Sequence, residues 1–478
     1  MKAIAGNIYS PDFQFHRGKL FIENDTIVKV EYTTPSTDDE DCYVIPGLID
    51  IHFHGCMGND FCDGTLDSLE EIARHEASWG VTGICPASMT LPPEKLSSIV
   101  KNAHDFRLLQ SSCRYRKNAC DSYMTGSDSG RSNCDSYMTG SDSGRSICAS
   151  AKTSCYSNTP ISNSNKTSHS NKTSNDSVMA NYYADFLGIH LEGPFLSFSK
   201  KGAQNAAYLR KPDITLFQQF QDISDGLIKL VDVAPEEEGA LAFIRHASSS
   251  CAVSLAHTAA DYHTCMKAFQ AGATHVTHLF NAMTPFSHRE PGLPGAAFDT
   301  PDCDVELICD GIHLSPAAVR MAFRLFTEER IILISDSMMA TGMPDGTYTL
   351  GGQFVTVRGN LATLADSTIP ASAAPTADST TPTSAAPTVN SITTISAASA
   401  TGGTIAGSAT HLADCVRKAV SFGIPLESAI RCATANPARS IGCDDSYGFL
   451  KPGYTANVVI LGSDLSLKNV ILRGVQII

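Results

Sequence analysis

The sequence predicts an α/β protein, a TIM-like (β/α)8 barrel with a small β-sandwich domain built from both ends of the chain. Three observations predict it. Eight short apolar runs alternate with helical patterns through the middle of the chain, as parallel strands joined by crossover helices do. Chemistry-bearing residues stand at the carboxyl ends of most of these runs, where such a barrel carries its active site. Residues 1–45 and 446–478 instead alternate apolar and polar positions between turn residues, which suits antiparallel strands. An open doubly wound sheet is the alternative, but no glycine-rich dinucleotide turn follows the first run.

At the start, AIAGNIYS, KLFIENDTIVKVEY and CYVIPG give short strands; at the end, Asn457 to Leu461 and Val470 to Ile478 give two or three more. Between them, residues 46–445 form the barrel. Its strands are expected at Ile45 to Ile51, Val81 to Ser88, Phe186 to Leu191, Ile228 to Ala234, Val253 to His257, Thr274 to His278, Val305 to Cys309 and Ile331 to Ser335. Helices are expected at Leu66 to Trp79, Pro93 to His104, Glu236 to His246, Ala260 to Ala271 and Pro316 to Glu329, with two more at Leu412 to Phe422 and Leu426 to Thr434. The stretch from Ser254 to Gly295 is the clearest β-α-β unit. CAVSLAH ends at His257, a helix with Cys265, Met266 and Phe269 on one side closes at Gly272, and ATHVTH ends at His278. Parallel strands put both ends on one rim, so the two histidines become neighbours.

Two segments break the pattern. Residues from about 111 to 181 are rich in Ser, Asn, Thr and Cys, and carry a near-perfect repeat, CDSYMTGSDSGRSN at Cys120 and CDSYMTGSDSGRSI at Cys134. Residues from about 364 to 402 are almost wholly Ala, Ser, Thr and Pro. Both have too few large apolar residues to offset the entropy of ordering, so both are expected to be disordered insertions. The sequons at Asn165, Asn171 and Asn175 are read as accidents of that composition.

A net charge of -14 with pI near 5.5 argues against a nucleic-acid or membrane-surface partner. No apolar run approaches the ~20 residues of a membrane span, and the first ten residues lack the shape of a signal peptide. The 16 cysteines form no CxxC pairs, and several sit in apolar runs, so they read as buried thiols in a reducing compartment. The expectation is a cytoplasmic protein.

Placed on the barrel, the polar residues converge. DIHFHG ends the first strand with His52 and His54 two apart, hence on one face. HLEGPF offers Glu192 after the third, and His257 and His278 end the fifth and sixth. Asp310 and His313 follow the seventh, and Asp336 ends the eighth. This is a metal-hydrolase constellation. Imidazole and carboxylate ligands without clustered thiolates suit Zn or Fe(II) better than Mg or Ca. Asp336 is placed to move a proton between a bound water and a leaving amine. His16, His75, His169, His246 and His411 lie on loops, helices or an insertion and are read as surface residues.

PGLIDIHFHG, GIHLEGPFLSFSKKGAQN, AHT with THLFNAM, HREPGL, CDGIH, ISDSMMATG, TIAGS, ANPA and LKPGYTANVVIL together resemble the N-acetylglucosamine-6-phosphate deacetylase family of the amidohydrolase superfamily. The resemblance spans nearly all of the chain outside the two insertions. HxH marks only the superfamily, whereas HLEGPF with KKGA and THLFNAM with REPG are specific to the deacetylases. It implies hydrolysis of the acetamide of N-acetylglucosamine 6-phosphate by a homodimer with one or two metal ions per subunit. It assigns Glu192, His257 and His278 as main metal ligands, His52 and His54 as ligands of a second ion, and Asp336 as catalytic acid/base. It places Ala203, Asn281, Ala282, Arg289 and His313 around sugar and phosphate, with Arg289 reaching a neighbouring subunit's pocket, and Ile405, Ala406, Gly407 and Ser408 near the N-acetyl group. Gln204 stands where many members have a histidine. Two other readings stay open: a cyclic-amide or deaminase hydrolase on the same barrel, and a scaffold relative binding through its repeats.

Overall fold

The computed structural model describes residues 1–33, 42–124, 182–365 and 403–478. The chain divides into two units, residues 1–110 with 182–478, and residues 111–181. In the second, residues 111–124 continue a helix that begins at Pro93 and ends at Met124. This helix outlasts the expected end at His104 and enters the segment read as an insertion. The physical reason is legible: no glycine or proline interrupts the chain between Pro93 and Gly126. The rest of that insertion, with the second copy of its repeat, its sequons and His169, lies outside the described residues, as do residues 366–402.

In the first unit, eight parallel strands curl into the barrel. They are Leu48–Asp50, Val81–Ile84, Asp185–Phe186 with Ile189–Leu191, Ile228–Val233, Ala252–Leu255, His275–Val276, Asp304–Ile308 and Ile331–Ile334. Each pairs in parallel with the next, the second and third also through a bridge between Ala87 and His190. The circle closes where the last strand meets the first: Asp336 N–H donates to His52 O at 3.0 Å and His54 N–H to Ser337 O at 2.6 Å. Capped helices fill the connections. Asp261, for example, accepts from Thr264 N at the start of Tyr262–Ala271, and Gly272 ends that helix in the left-handed conformation.

The two ends of the chain meet in one seven-stranded sheet. Its order is Val475–Gln476, Leu467–Leu472, Val458–Gly462, Cys42–Pro46, Lys2–Tyr9, Phe15–Glu23 and Thr26–Tyr32. Cys42–Pro46 is the seam, parallel to Lys2–Tyr9 and antiparallel to Val458–Gly462. Ile4, Ile8, Leu20, Ile22, Ile27, Val44, Val458 and Ile471 share a core of their own. The sheet is pinned to the barrel at buried Asp185, which accepts from Arg473, from Asn457 Nδ2 at 3.0 Å and from Tyr447 OH at 3.2 Å.

The sequence reading did not anticipate a three-stranded antiparallel sheet, Gly346–Leu350, Gln353–Arg358 and Leu361–Leu364, after the eighth barrel strand. Its two turns are Gly351-Gly352 and Gly359-Asn360, the tight pairs that favour hairpins. It reaches the barrel mouth, where Thr363 bridges Ile405 and Gln353 donates to Ala203 O.

Candidate active site

The carboxyl ends of the strands surround a cavity of about 280 Å3. Its lining includes His54, Met89, Glu192, Gln204, His257, His278, Asn281, His313, Asp336, Leu350 and Ile405, with Ala203, Ala282 and Gly407 from the predicted set. His52, Ala406 and Ser408 are buried beside it.

Glu192 sits at the centre. Its Oε1 lies 2.9 Å from His257 Nε2 and 3.4 Å from His278 Nε2, and the two imidazole nitrogens are 3.1 Å apart. Its Oε2 lies 3.4 Å from His54 Nε2, and its Oε1 is 3.8 Å from His52 Nε2. Asp336 Oδ1 faces both of those histidines, at 3.3 and 3.8 Å. Around an ion with metal–nitrogen bonds of about 2.0–2.1 Å, tetrahedral ligands stand roughly 3.3–3.4 Å from one another. Several of these spacings are therefore too long for good hydrogen bonds and right for ligands that share an ion.

The partners of two of these histidines fix one hydrogen each and leave the other nitrogen facing the cluster. His257 Nδ1 meets Lys200 O at 2.9 Å and His54 Nδ1 meets Ala87 O at 3.2 Å. A carbonyl oxygen only accepts, so each Nδ1 carries a hydrogen, and each Nε2 is the nitrogen turned to Glu192 and available to an ion once its own proton is given up. Buried His52 Nε2 and Glu192 Oε2 have no hydrogen-bond partner among the described residues. Buried polar atoms left unpartnered in this way fit a cation. A third group, His52, His190 and Glu306, is also close enough to suggest a metal. It does not fit one, because His190 already spends both nitrogens, on Ile51 O at 3.2 Å and Asp232 Oδ1 at 2.9 Å.

The backbone that presents these groups is bent at the strand ends. His257, His278 and Asp336 have φ of 45, 32 and 50°, a region that L-residues rarely occupy and that concentrates at functional sites. Neighbouring segments hold them there. Ser408 N–H donates to Asp336 O at 2.7 Å, and Ser197 N–H to His257 O at 3.0 Å. Gly202 has no side chain for a reason: at φ 55° a Cβ would lie 3.3 Å from His257 Cε1.

Burial raises the Asp336 carboxyl, but His54, His52 and His313 outweigh it and hold the group below the usual carboxylate range. The same balance, with His257, His278 and His52 as the opposing groups, holds Glu192 well below it. Burial lowers His313, yet Asp310 at 2.8 Å from its Nδ1 raises it above the ordinary value. Gln204 is committed to the fold: its Oε1 accepts from Thr90 N at 2.7 Å, and its Nε2 faces only the weak acceptor Met89 Sδ at 3.6 Å.

Arg289 lies on the exposed stretch 285–290, outside the lining of this chain's own cavity. Two histidines differ from the sequence reading. His411 is buried and His75 half-buried rather than on the surface; their Nε2 atoms meet at 2.9 Å, and His411 stacks on Trp79 with ring centroids 3.7 Å apart. Helix periodicity could not show that pair, because its members lie far apart in the chain. Met89 and Leu350 were not foreseen as lining. Glu306 was passed over within an apolar strand, although one charge in VELIC is itself a signal.

Residues 152–477 match the model described as the amidohydrolase family. The chain belongs to that family. Among curated amidohydrolase relatives, the N-acetylglucosamine-6-phosphate deacetylase of Bacillus subtilis is 30% identical over 459 residues, covering 96% of this chain and 90% of that protein. The N-acetylgalactosamine-6-phosphate deacetylase of Escherichia coli O157:H7 is 29% identical over 459 residues, covering 95% and 93%. Among solved structures, the N-acetyl-D-glucosamine-6-phosphate deacetylase of Mycobacterium smegmatis superimposes with a TM-score of 0.72 at 26% identity, over the full length of both chains. The family is generally metal-dependent, and this chain has candidate His/Glu groups to match. None of the described helices is long and apolar enough to cross a membrane.

Proposed function

We propose that this chain is an N-acetylglucosamine-6-phosphate deacetylase, hydrolysing the acetamide to glucosamine 6-phosphate and acetate in amino-sugar catabolism. One observation carries the reading: Glu192, His257, His278 and Asp336 face a single cavity of monosaccharide size, on a chain that aligns end to end with deacetylases of such sugars. Glu192, His257 and His278 hold one ion, Zn or Fe(II), and His52 and His54 with Glu192 hold a second where one binds. A divalent ion there polarises a carbonyl and makes water more acidic.

The chain's own groups do the rest. Asp336, held ionised by its histidine neighbours, accepts a proton from the attacking water and returns it to the departing amine. His313, steadied at Nδ1 by Asp310, presents Nε2 as a donor to the substrate. Asn281 and Ala282 after the sixth strand, Ala203 after the third, and the 405–408 segment orient the sugar and its N-acetyl group. Among the described residues the lining includes no lysine or arginine, so in this reading the phosphate draws charge from the rim. Arg289 supplies it in this reading, from the partner subunit of a homodimer. The free thiols and acidic charge fit a cytoplasmic enzyme.

Acetate release by metal-analysed protein tests the activity, with N-acetylglucosamine 6-phosphate, N-acetylgalactosamine 6-phosphate and unphosphorylated N-acetylglucosamine compared side by side. Preference for the galacto epimer corrects the sugar; no release from any of the three refutes the deacetylase reading.

A further inference from the structure

Beneath the candidate ligands lies a carboxylate for which the reaction has no direct use. Glu306 comes from the middle of the seventh strand, Asp304–Ile308, and is fully buried. Placing a charge in a barrel interior costs several kcal/mol unless every oxygen is engaged. Here both are. Oε2 lies 2.8 Å from His52 Nδ1 and accepts from the His278 backbone N–H at 3.1 Å, while Oε1 lies 3.1 Å from His275 Nε2.

These contacts reach both candidate metal groups. His52 belongs to the set with His54 and Glu192, and His278 to the set with Glu192 and His257. A backbone N–H can only donate, so Oε2 is an acceptor. His52 must then carry a hydrogen on Nδ1, which makes Nε2, pointing at Glu192 and Asp336, the nitrogen available to an ion. For His278 the same oxygen anchors the amide of a residue whose φ of 32° needs support.

We propose that Glu306 is a positioning residue that sets the tautomer of His52 and the backbone of His278, and so keeps the two metal subsites in register from below while Glu192 joins them from above. The proposal rests on the metal reading of the site given above.

Substitutions separate this role from a merely structural one. In Glu306→Gln the amide oxygen can take over both bonds of Oε2. The new NH2 then faces His275 Nε2, and His275 can change tautomer to accept it because its Nδ1 already faces the Ser440 hydroxyl at 3.1 Å. Geometry survives and the charge is lost. Glu306→Ala loses both. The comparison is Asp232→Asn, another buried carboxylate of the barrel, which bonds His190 and Thr277 but none of the candidate ligands.

The measurement is metal content after dialysis against graded chelator, together with melting of each protein stripped and reloaded with Zn2+. The expected result is that Glu306→Gln, which keeps both bonds of Oε2, melts near wild type when stripped and binds zinc close to wild type, that Glu306→Ala binds zinc roughly 10–100-fold more weakly, and that Asp232→Asn binds as wild type does. Wild-type zinc affinity in Glu306→Ala, or an equal loss in Glu306→Gln or in Asp232→Asn, overturns the positioning role while leaving the metal site standing. Absence of tight zinc binding by the wild type overturns the metal reading and this inference with it.

Discussion

Glu76 gives the most quantitative test of the structure. It lies on the helix Leu66–Ser78, is fully buried, and neither carboxyl oxygen has a hydrogen-bond partner among the described residues. Burial, reinforced by Asp50, pushes it from the ordinary 4.5 up to about 8, with the Cys56 thiol offsetting little. The unfolded chain therefore gives up this proton near 4.5 and the folded chain near 8. Between those values the folded state binds the extra proton, so stability is fully present below about 4.5 and falls as pH rises. Each pH unit in that window is worth about 1.4 kcal/mol, on the order of 4–5 kcal/mol across all of it. Glu76→Gln keeps the shape and removes the titration. The variant should match wild type near pH 5 and exceed it by a few kcal/mol at pH 9. Urea unfolding at fixed metal concentration, followed by fluorescence of the single tryptophan, Trp79, reports the difference. Contributions from other groups are largely common to the two proteins and drop out of it. Stability profiles that run parallel from pH 5 to pH 9 would refute the buried-carboxyl argument.

Asp336→Asn preserves shape but cannot accept a proton, so it should fold, hold metal and turn over ~10²-fold or more slowly; near-normal turnover transfers the role to His313. Glu192→Ala should abolish tight metal binding, whereas His52→Ala should cost only an ion that depends on His52; unchanged metal content in Glu192→Ala, by elemental analysis, defeats the ligand assignment. Arg289→Ala should raise KM for N-acetylglucosamine 6-phosphate roughly 10- to 100-fold, the loss of ~1.5–3 kcal/mol of charge-assisted bonding, and barely affect the unphosphorylated sugar. Heterodimers of Arg289→Ala with Asp336→Asn should regain activity at the site that combines an intact Arg289 with an intact Asp336. An unchanged KM in the single variant points instead to Lys201, beside the lining residue Gly202.

The barrel was legible because its strands are apolar runs with helical patterns between most of them, although the helices Ile214–Ile223 and Gly292–Phe298 were not anticipated, and because strand-end residues such as His257, His278 and Asp336 inherit a common rim from parallel topology alone. What stayed hidden depends on contacts between distant segments. His190 and Glu306 are polar residues inside apolar runs, and their partners lie on other strands. The sheet Gly346–Leu364 carries its own hairpin signals, but it falls between the last barrel strand and a low-complexity stretch, where no periodicity of the barrel leads the eye.

The seam strand Cys42–Pro46 has a consequence for biosynthesis. About 410 residues of chain separate Pro46 from its partner Val458, and at roughly 5–20 residues per second the ribosome needs on the order of 20–80 s to deliver that partner. The strands before the seam can pair at once, since Lys2–Tyr9 and Phe15–Glu23 form a local hairpin. The seam itself then presents an open edge to the cell for the whole interval, an invitation to pair with a second nascent chain. Yield on expression should therefore respond to translation speed and chaperone supply more than the stability of the finished barrel would suggest.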